Sequence, residues 1–157
     1  MILRKRHEGN FDVMKHIIIQ INDSLPFARQ WVPGNIGSNE PEYLFDLLKS
    51  HTVFAYDPPK DEVLQSMQTL MTNDNIWGVP GAGDCDCFVI TSCACFIVCQ
   101  MPFRIVLCGR SGKEPVHIYS KVYDYDKNKF VTFDLTNDYY GQERYYPIKQ
   151  IIKLNKK

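Results

Sequence analysis

The sequence carries no excess of charge of either sign: Lys plus Arg and Asp plus Glu both number 18 among 157 residues, for a formal net charge of zero. That balance gives no electrostatic reason for nucleic acid or an anionic membrane to be the main partner. Neither partner is expected. The apolar run Phe88 to Cys99 is about twelve residues long, well short of the roughly twenty that span a bilayer. The N-terminus, Met1-Ile2-Leu3-Arg4-Lys5-Arg6-His7, is basic but lacks the apolar stretch of a signal peptide, because Ile17-Ile18-Ile19 is too short, so export by that route is not expected. There is no internal repeat and no low-complexity segment. A disulfide framework is also missing. All six cysteines fall between Cys85 and Cys108, and Cys85, Cys87, Cys93, Cys95 and Cys99 share one proposed helix, where residues seldom meet disulfide geometry. A reducing, cytoplasmic compartment fits this usage.

What is present is enough apolar material for one core. With 45% hydrophobic and 13% aromatic residues, the chain can fold without metals or staples, and it is too short for two ordinary domains, so residues 1–157 are expected to form one domain. It is organised around Gly83-Asp84-Cys85-Asp86-Cys87. A glycine- and proline-rich approach, Gly78-Val79-Pro80-Gly81-Ala82-Gly83, ends at Asp84, which can cap a helix, and the residues that follow contain no helix breaker. Cys85 then lies in the first turn, where free N–H groups and the helix dipole favour a thiolate. The helix is apolar on every side and reads as buried all round.

Taken in order, residues 1–9 read as a mobile arm whose Arg4-Lys5-Arg6 cluster is a solvated end. Phe11, Met14, Ile17, Ile18 and Ile21 recur at helical spacing, and Asn22-Asp23-Ser24 followed by Pro26 stop that helix. Residues 25–40 read as a loop. A second helix is expected at about 41–51 and a third from Asp61 to about Thr72. Beyond Cys99 the period changes: Phe103 to Cys108, Val116 to Asp124 and Phe130 to Leu135 read as strands, and Tyr145 to Leu154 as an edge strand or a final short helix. Helices followed by a run of strands indicate α+β with a C-terminal antiparallel sheet.

The hairpin supplies a geometric test. Asp124 opposite Lys129, or Tyr125 opposite Asn128, gives the same register and sets Tyr119 opposite Asp134. His117 and Asp134 then become diagonal neighbours on one face, about 7–8 Å apart at the backbone. His7 lies in the arm, His16 on the first helix and His51 at a helix end, which leaves His117 as the strand-borne imidazole. Cys85, His117 and Asp134 together have the composition of a nucleophile, a base and an orienting acid.

At these residues the chain resembles the transglutaminase-like superfamily, a branch of the papain-like cysteine-peptidase fold. The resemblance runs from about 55 to 136, through Asp57-Pro58-Pro59, Gly83-Asp84-Cys85-Asp86, His117-Ile118-Tyr119-Ser120-Lys121-Val122-Tyr123-Asp124 and Phe133-Asp134-Leu135-Thr136. It is close to small stand-alone members encoded by bacteria and their phages. It implies N-terminal helices with a central buried helix on an antiparallel sheet, with Cys85 as nucleophile, His117 as base and Asp134 as orienting acid. It implies oxyanion donors from the Cys85 amide and an upstream side chain, for which Asn75 and Trp77 are the candidates. Two positions depart from the family pattern: Cys87 stands where a second acidic residue is common, and Leu135 where proline is.

The other readings are plainer. Cys93, Cys95 and Cys99 suit an apolar core. A zinc site from Cys85, Cys87, Cys93 and Cys95 would need thiolates pointing in several directions to converge, so no metal and no cofactor are expected. The tyrosines Tyr123, Tyr125, Tyr139, Tyr140, Tyr145 and Tyr146 read as sheet packing or as part of a groove. Two functions fit: a cysteine hydrolase or acyltransferase acting on a protein or peptide substrate, or a structural or assembly protein, such as a phage virion component, that keeps the fold for binding. A homo-oligomer or a virion partner is compatible with the second.

Overall fold

The computed structural model describes residues 2–5, 9–58, 62–109 and 116–154, with side chains from Val13 onward outside Glu62. At its centre is α4 (Cys85–Val98), whose residues from Cys87 to Phe96 are all buried. One side of α4 meets α1 (Gly9–Trp31) and the other meets a four-stranded antiparallel sheet. The sheet has the order β7 (Lys129–Phe133), β6 (His117–Asp124), β5 (Phe103–Gly109), β8 (Ile148–Ile152). Ile118 and Val122 of β6, Ile105 and Leu107 of β5 and Phe133 of β7 join α4 in the main core. Alternation sends the intervening residues to the outer face, where Val106, Cys108, Tyr119 and Tyr146 form a second, smaller cluster. This is the expected α+β arrangement: helices first, a buried central helix, then an antiparallel sheet. The hairpin register is also the expected one, with Asp124 opposite Lys129 and Ser120 opposite Phe133. The segment 145–154 resolves as the edge strand β8, paired with β5.

The N-terminal half departs from the sequence reading in three places. First, α1 does not stop at residue 21; it runs through Pro26 to Trp31, which removes the first part of the expected 25–40 loop. Met14, Ile17, Ile21, Ser24 and Ala28 are buried at helical spacing, while Pro26 lies on the exposed side. A proline inside a helix costs roughly 3 kcal/mol; beyond it Ala28 is buried and Phe27 and Trp31 pack partly buried against the core, so packing keeps the helix going. Ser24 helps, since its hydroxyl donates to the Gln20 carbonyl at 2.6 Å and accepts the Met67 amide at 2.8 Å.

Second, the expected helix 61–72 divides into β3 (Glu62–Gln65) and α3 (Met67–Met71). Val63, Leu64 and Gln65 are all buried, which suits a strand covered on both faces. Ser66 then caps α3 by accepting the Thr69 amide at 3.3 Å. Asp61 lies outside the described residues. Third, the chain at residues 2–5 is not a free arm: β1 (Ile2–Lys5) pairs antiparallel with β3. Met1 and residues 6–8 lie outside the described residues, as do Pro59 and the Arg110-Ser111-Gly112 turn.

The second helix is α2 (Pro41–Ser50), close to its expected range. Two short strands were not anticipated. β2 (Val53–Phe54) pairs parallel with β4 (Ala82–Gly83), and β4 leads directly into the cap of α4. The glycines make that approach sterically feasible. Gly81 has φ +87°, and a Cβ there would come within 1.9 Å of the His51 carbonyl oxygen. At Gly83 a Cβ would meet Leu70 Cδ1 at 2.7 Å and Cys87 Cβ at 2.8 Å. The far end of α4 closes with Gln100 at φ +59° and the Met101 amide returning to the Phe96 carbonyl at 2.8 Å.

Candidate active site

Cys85 is the first residue of α4, and Asp84 caps the helix as the sequence indicates. Asp84 Oδ1 accepts the amides of Asp86 at 3.2 Å and Cys87 at 3.4 Å, while the Asp84 carbonyl takes the Phe88 amide at 3.0 Å. The Cys85 amide is left without a hydrogen-bond partner among the described residues, which makes it a free donor beside its own thiol. The thiol is half-buried and receives the Ile118 amide of β6. Against it lies a narrow gap lined by Phe88, Val89, Ser92, Tyr119, Phe133, Asp134 and Leu135, with no water-sized space.

The electrostatics of Cys85 differ from the sequence reading. Burial pushes the thiol well above its ordinary pKa, and the nearby carboxylates of Asp86, Asp84 and Asp134 push in the same direction; the Ile118 amide opposes them. The helix terminus is thus opposed by burial and by three carboxylates. Asp84 is itself raised by burial, which its hydrogen bonds to Asp57 and to the helix amides partly offset.

His117 opens β6 and Asp134 follows the end of β7. Both are largely buried, at 9% and 6% exposure, and Nε2 of the imidazole donates to Asp134 Oδ2 at 2.7 Å. The diagonal pairing expected from the register therefore does bring these side chains together. Asp134 also starts a turn: its Oδ1 accepts the Thr136 amide at 3.0 Å and the Thr136 hydroxyl at 2.7 Å, and its carbonyl accepts the Asn137 amide at 3.0 Å. One oxygen is fixed by the turn and the other by the ring. No hydrogen bond joins the Cys85 thiol to the His117 ring among the described residues. The ring lies on the outer face of the sheet, and the thiol approaches the backbone one residue further along the same strand. His117 Nδ1 has no hydrogen-bond partner among the described residues.

Several neighbours were not singled out from the sequence. The His117 ring stacks on Tyr119, with centroids 5.7 Å apart, and on Tyr146, at 5.6 Å. The Tyr119 hydroxyl donates to Glu143, which also receives Lys121 and Lys149 at 3.2 and 3.1 Å. Burial opposes ionisation of Glu143, but those three donors outweigh it and hold its pKa at about 2. Lys49 of α2 donates to the Leu135 carbonyl at 2.9 Å, steadying the segment that carries Asp134. Strand alternation placed Tyr119 beside His117, and Tyr146 belongs to the tyrosines read as sheet packing or groove, but no local signal announced Glu143 or Lys49, which reach the site from a loop and from another helix.

Asn75 is not available as an oxyanion donor. Its side-chain amide is spent on the Leu70, Thr72 and Val79 carbonyls at 3.1, 3.2 and 2.5 Å, and its Oδ1 on the Trp77 and Val79 amides. It is buried and organises the 72–79 turn instead. Trp77 is half-buried, and its indole is not among the groups that line the Cys85 gap. Cys87 is fully buried between the Val63 carbonyl and the Gln65 amide, at 3.4 and 3.5 Å. A carboxylate there would have to be desolvated. Carboxylate oxygens of Asp57, Asp84 and Asp86 lie within 4.8 Å of one another at the start of α4. All six cysteines are free thiols. No helix among the described residues is long and apolar enough to cross a membrane.

No protein-family model and no curated protein matches the chain. Among solved structures, it is similar to a candidate cysteine protease from Cytophaga hutchinsonii, with 15% sequence identity, a TM-score of 0.48 and 83% of this chain covered. The match spans 44% of that protein's length.

Proposed function

We propose that this chain is a cysteine-dependent acyl-transfer enzyme of transglutaminase-like type, acting as a peptidase, amidase or deamidase on a protein or peptide substrate. The observation that carries the reading is the buried His117–Asp134 hydrogen bond, at the strand end whose next amide reaches the Cys85 thiol. Asp134 engages Nε2, so the nitrogen left for the thiol is Nδ1. The thiol proton passes to Nδ1 as sulfur attacks the carbonyl, the Cys85 amide receives the developing oxyanion, and the imidazolium returns its proton to the departing amine or ammonia. The thioester is then resolved by water or by an amine, with His117 again as base.

One feature favours the other reading, a structural or assembly protein: burial and the carboxylates of Asp86, Asp84 and Asp134 push the Cys85 thiol up. A peptidyl chloromethyl ketone separates the two. The enzyme reading expects a single adduct on Cys85 in the folded wild-type protein, read by mass spectrometry, and loss of that adduct in His117→Ala. An adduct spread over several cysteines, or one indifferent to His117, leaves a scaffold.

A further inference from the structure

The His117 ring is held on three sides. Asp134 takes the Nε2 edge at 2.7 Å. Tyr119 and Tyr146 stack against the ring plane, at interplanar angles of 27° and 24° and centroid distances of 5.7 and 5.6 Å. The two tyrosines arrive from opposite directions. Cys108 of β5 stands opposite both His117 and Lys149, which makes one row across the sheet. Tyr119 lies two residues beyond that row along β6, opposite Val106, whereas Tyr146 precedes Ile148, which stands opposite Gly109 on the other side of the row. The imidazole is thus flanked by a tyrosine on each side, and Nδ1 is the polar edge left open among the described residues.

Tyr146 comes from the loop that leads into β8, and two features fix it there. Pro147 follows it, which disfavours the helical conformation at Tyr146 and keeps the chain extended into the strand. Glu143, three residues earlier, accepts the Tyr119 hydroxyl and the ammonium groups of Lys121 on β6 and Lys149 on β8, the latter two at 3.2 and 3.1 Å. The loop is therefore fastened across the sheet at Glu143 and delivers the buried Tyr146 ring onto His117.

We propose that Tyr146 is a positioning residue for His117: paired with Tyr119 across the imidazole, it blocks rotation about the Cβ–Cγ bond, so that Nε2 stays on Asp134 and Nδ1 stays the proton acceptor. This inference rests on the acyl-transfer reading of Cys85 and adds a residue to its base. A single hydrogen bond to Asp134 fixes one atom of the ring and leaves the plane free to tilt about it. The two near-parallel tyrosines remove that freedom, because a tilted imidazole would drive its edges into them. Their faces also suit the charge that His117 takes up during proton transfer, since a cation within about 6 Å of an aromatic centroid is attracted to the ring. Orientation of the base is thereby shared between a carboxylate at its edge and a loop that closes over its face.

The test compares the full-length wild-type protein with Tyr146→Leu, Tyr146→Phe and Glu143→Ala, using the peptidyl chloromethyl ketone as the probe of Cys85 and proton NMR of the His117 ring as an independent readout. Tyr146→Leu lowers the limiting rate of Cys85 alkylation by about tenfold or more, since a displacement of about 1 Å at a reacting group lowers rates by up to about a hundredfold. The half-saturating concentration of the reagent stays nearly constant. Tyr146→Phe keeps the ring and with it the wild-type rate. Glu143→Ala, at the surface, unfastens the loop without removing a core side chain and lowers the rate in the same sense. The His117 ring protons, shifted upfield by the tyrosine rings, move downfield in Tyr146→Leu and hold their place in Tyr146→Phe. A limiting rate unchanged in Tyr146→Leu and Glu143→Ala, equal loss in Tyr146→Leu and Tyr146→Phe, or ring protons indifferent to Tyr146→Leu overturns the inference. A wild-type protein that gives no His117-dependent adduct refutes the acyl-transfer reading instead, and the NMR comparison still decides whether Tyr146 holds the ring.

Discussion

The two faces of β6 do different things with one strand. Ile118 and Val122 point inward against α4, in a core closed by Phe133 and Phe96 with ring centroids 4.8 Å apart. His117 and Tyr119 point outward, into a setting of stacked rings, a carboxylate pair and two lysines. The inner face is dry and apolar, and its contribution is stability. On the outer face Asp134 holds Nε2 of His117 with one oxygen and the Thr136 turn with the other, and the contribution is orientation. Because the side-chain period is two, the residue that holds the helix and the residue that holds the imidazole are adjacent in sequence and face opposite ways. Changes one residue apart should therefore separate activity from folding.

The largest expected effect is on the outer face. Asp134→Ala removes the acceptor that fixes the His117 ring and should lower turnover of a peptide amide by about a thousandfold or more, comparable to removing a triad carboxylate elsewhere; Asp134→Asn, which can still accept, should lose less. Equal loss in both would mean that charge rather than orientation matters. The adjacent inward change, Phe133→Ala, should cost about 3–5 kcal/mol in urea unfolding while the remaining folded protein keeps its Cys85 reactivity. If Phe133→Ala abolished that reactivity without destabilising the fold, the division between faces would be wrong.

The cysteines of α4 sharpen the same contrast at smaller scale. Cys95 is fully buried beside Met67, with sulfurs 3.9 Å apart, so Cys95→Ser places a hydroxyl in an apolar core and should cost about 1–3 kcal/mol. Cys85→Ser, at a half-exposed first turn, should shift the thermal midpoint by only a few degrees while removing labelling. The reverse order would make Cys85 a structural residue.

The smallest effect near neutrality is electrostatic. Burial raises the folded pKa of Cys85, Cys87 and Cys95, with help from carboxylates at the first two, so these thiols stay protonated when folded and ionise first when unfolded. That contribution is fully present below the unfolded pKa of about 8.5 and is lost as pH rises beyond it. Stability measured by urea unfolding should accordingly decline from about pH 8 upward, gently at first. In the same range chloroacetamide labelling of Cys85 should accelerate, and Asp86→Asn should bring that acceleration to lower pH by removing the nearest like charge. Fast labelling at pH 6 would show that the thiolate is already present.

The sequence by itself determined the parts whose cause is local. Gly83-Asp84-Cys85 specifies a close approach, a cap and a first-turn cysteine within three residues. The alternating run from His117 and the Asp126-Lys127-Asn128 turn set a register that carries His117 to Asp134 without reference to the rest of the chain. Tertiary structure decided whatever depends on partners distant in sequence. β3 is a strand because residues 2–5 come back to pair with it, and α1 continues past Pro26 because α4 covers its buried stripe. Asn75 was consumed by turn carbonyls that only the folded loop brings around it. The protonation state of Cys85 was decided there too: the helix terminus that favours a thiolate is written in the sequence, but the burial and the carboxylate of Asp134 that oppose it arrive only when the sheet closes over the start of the helix.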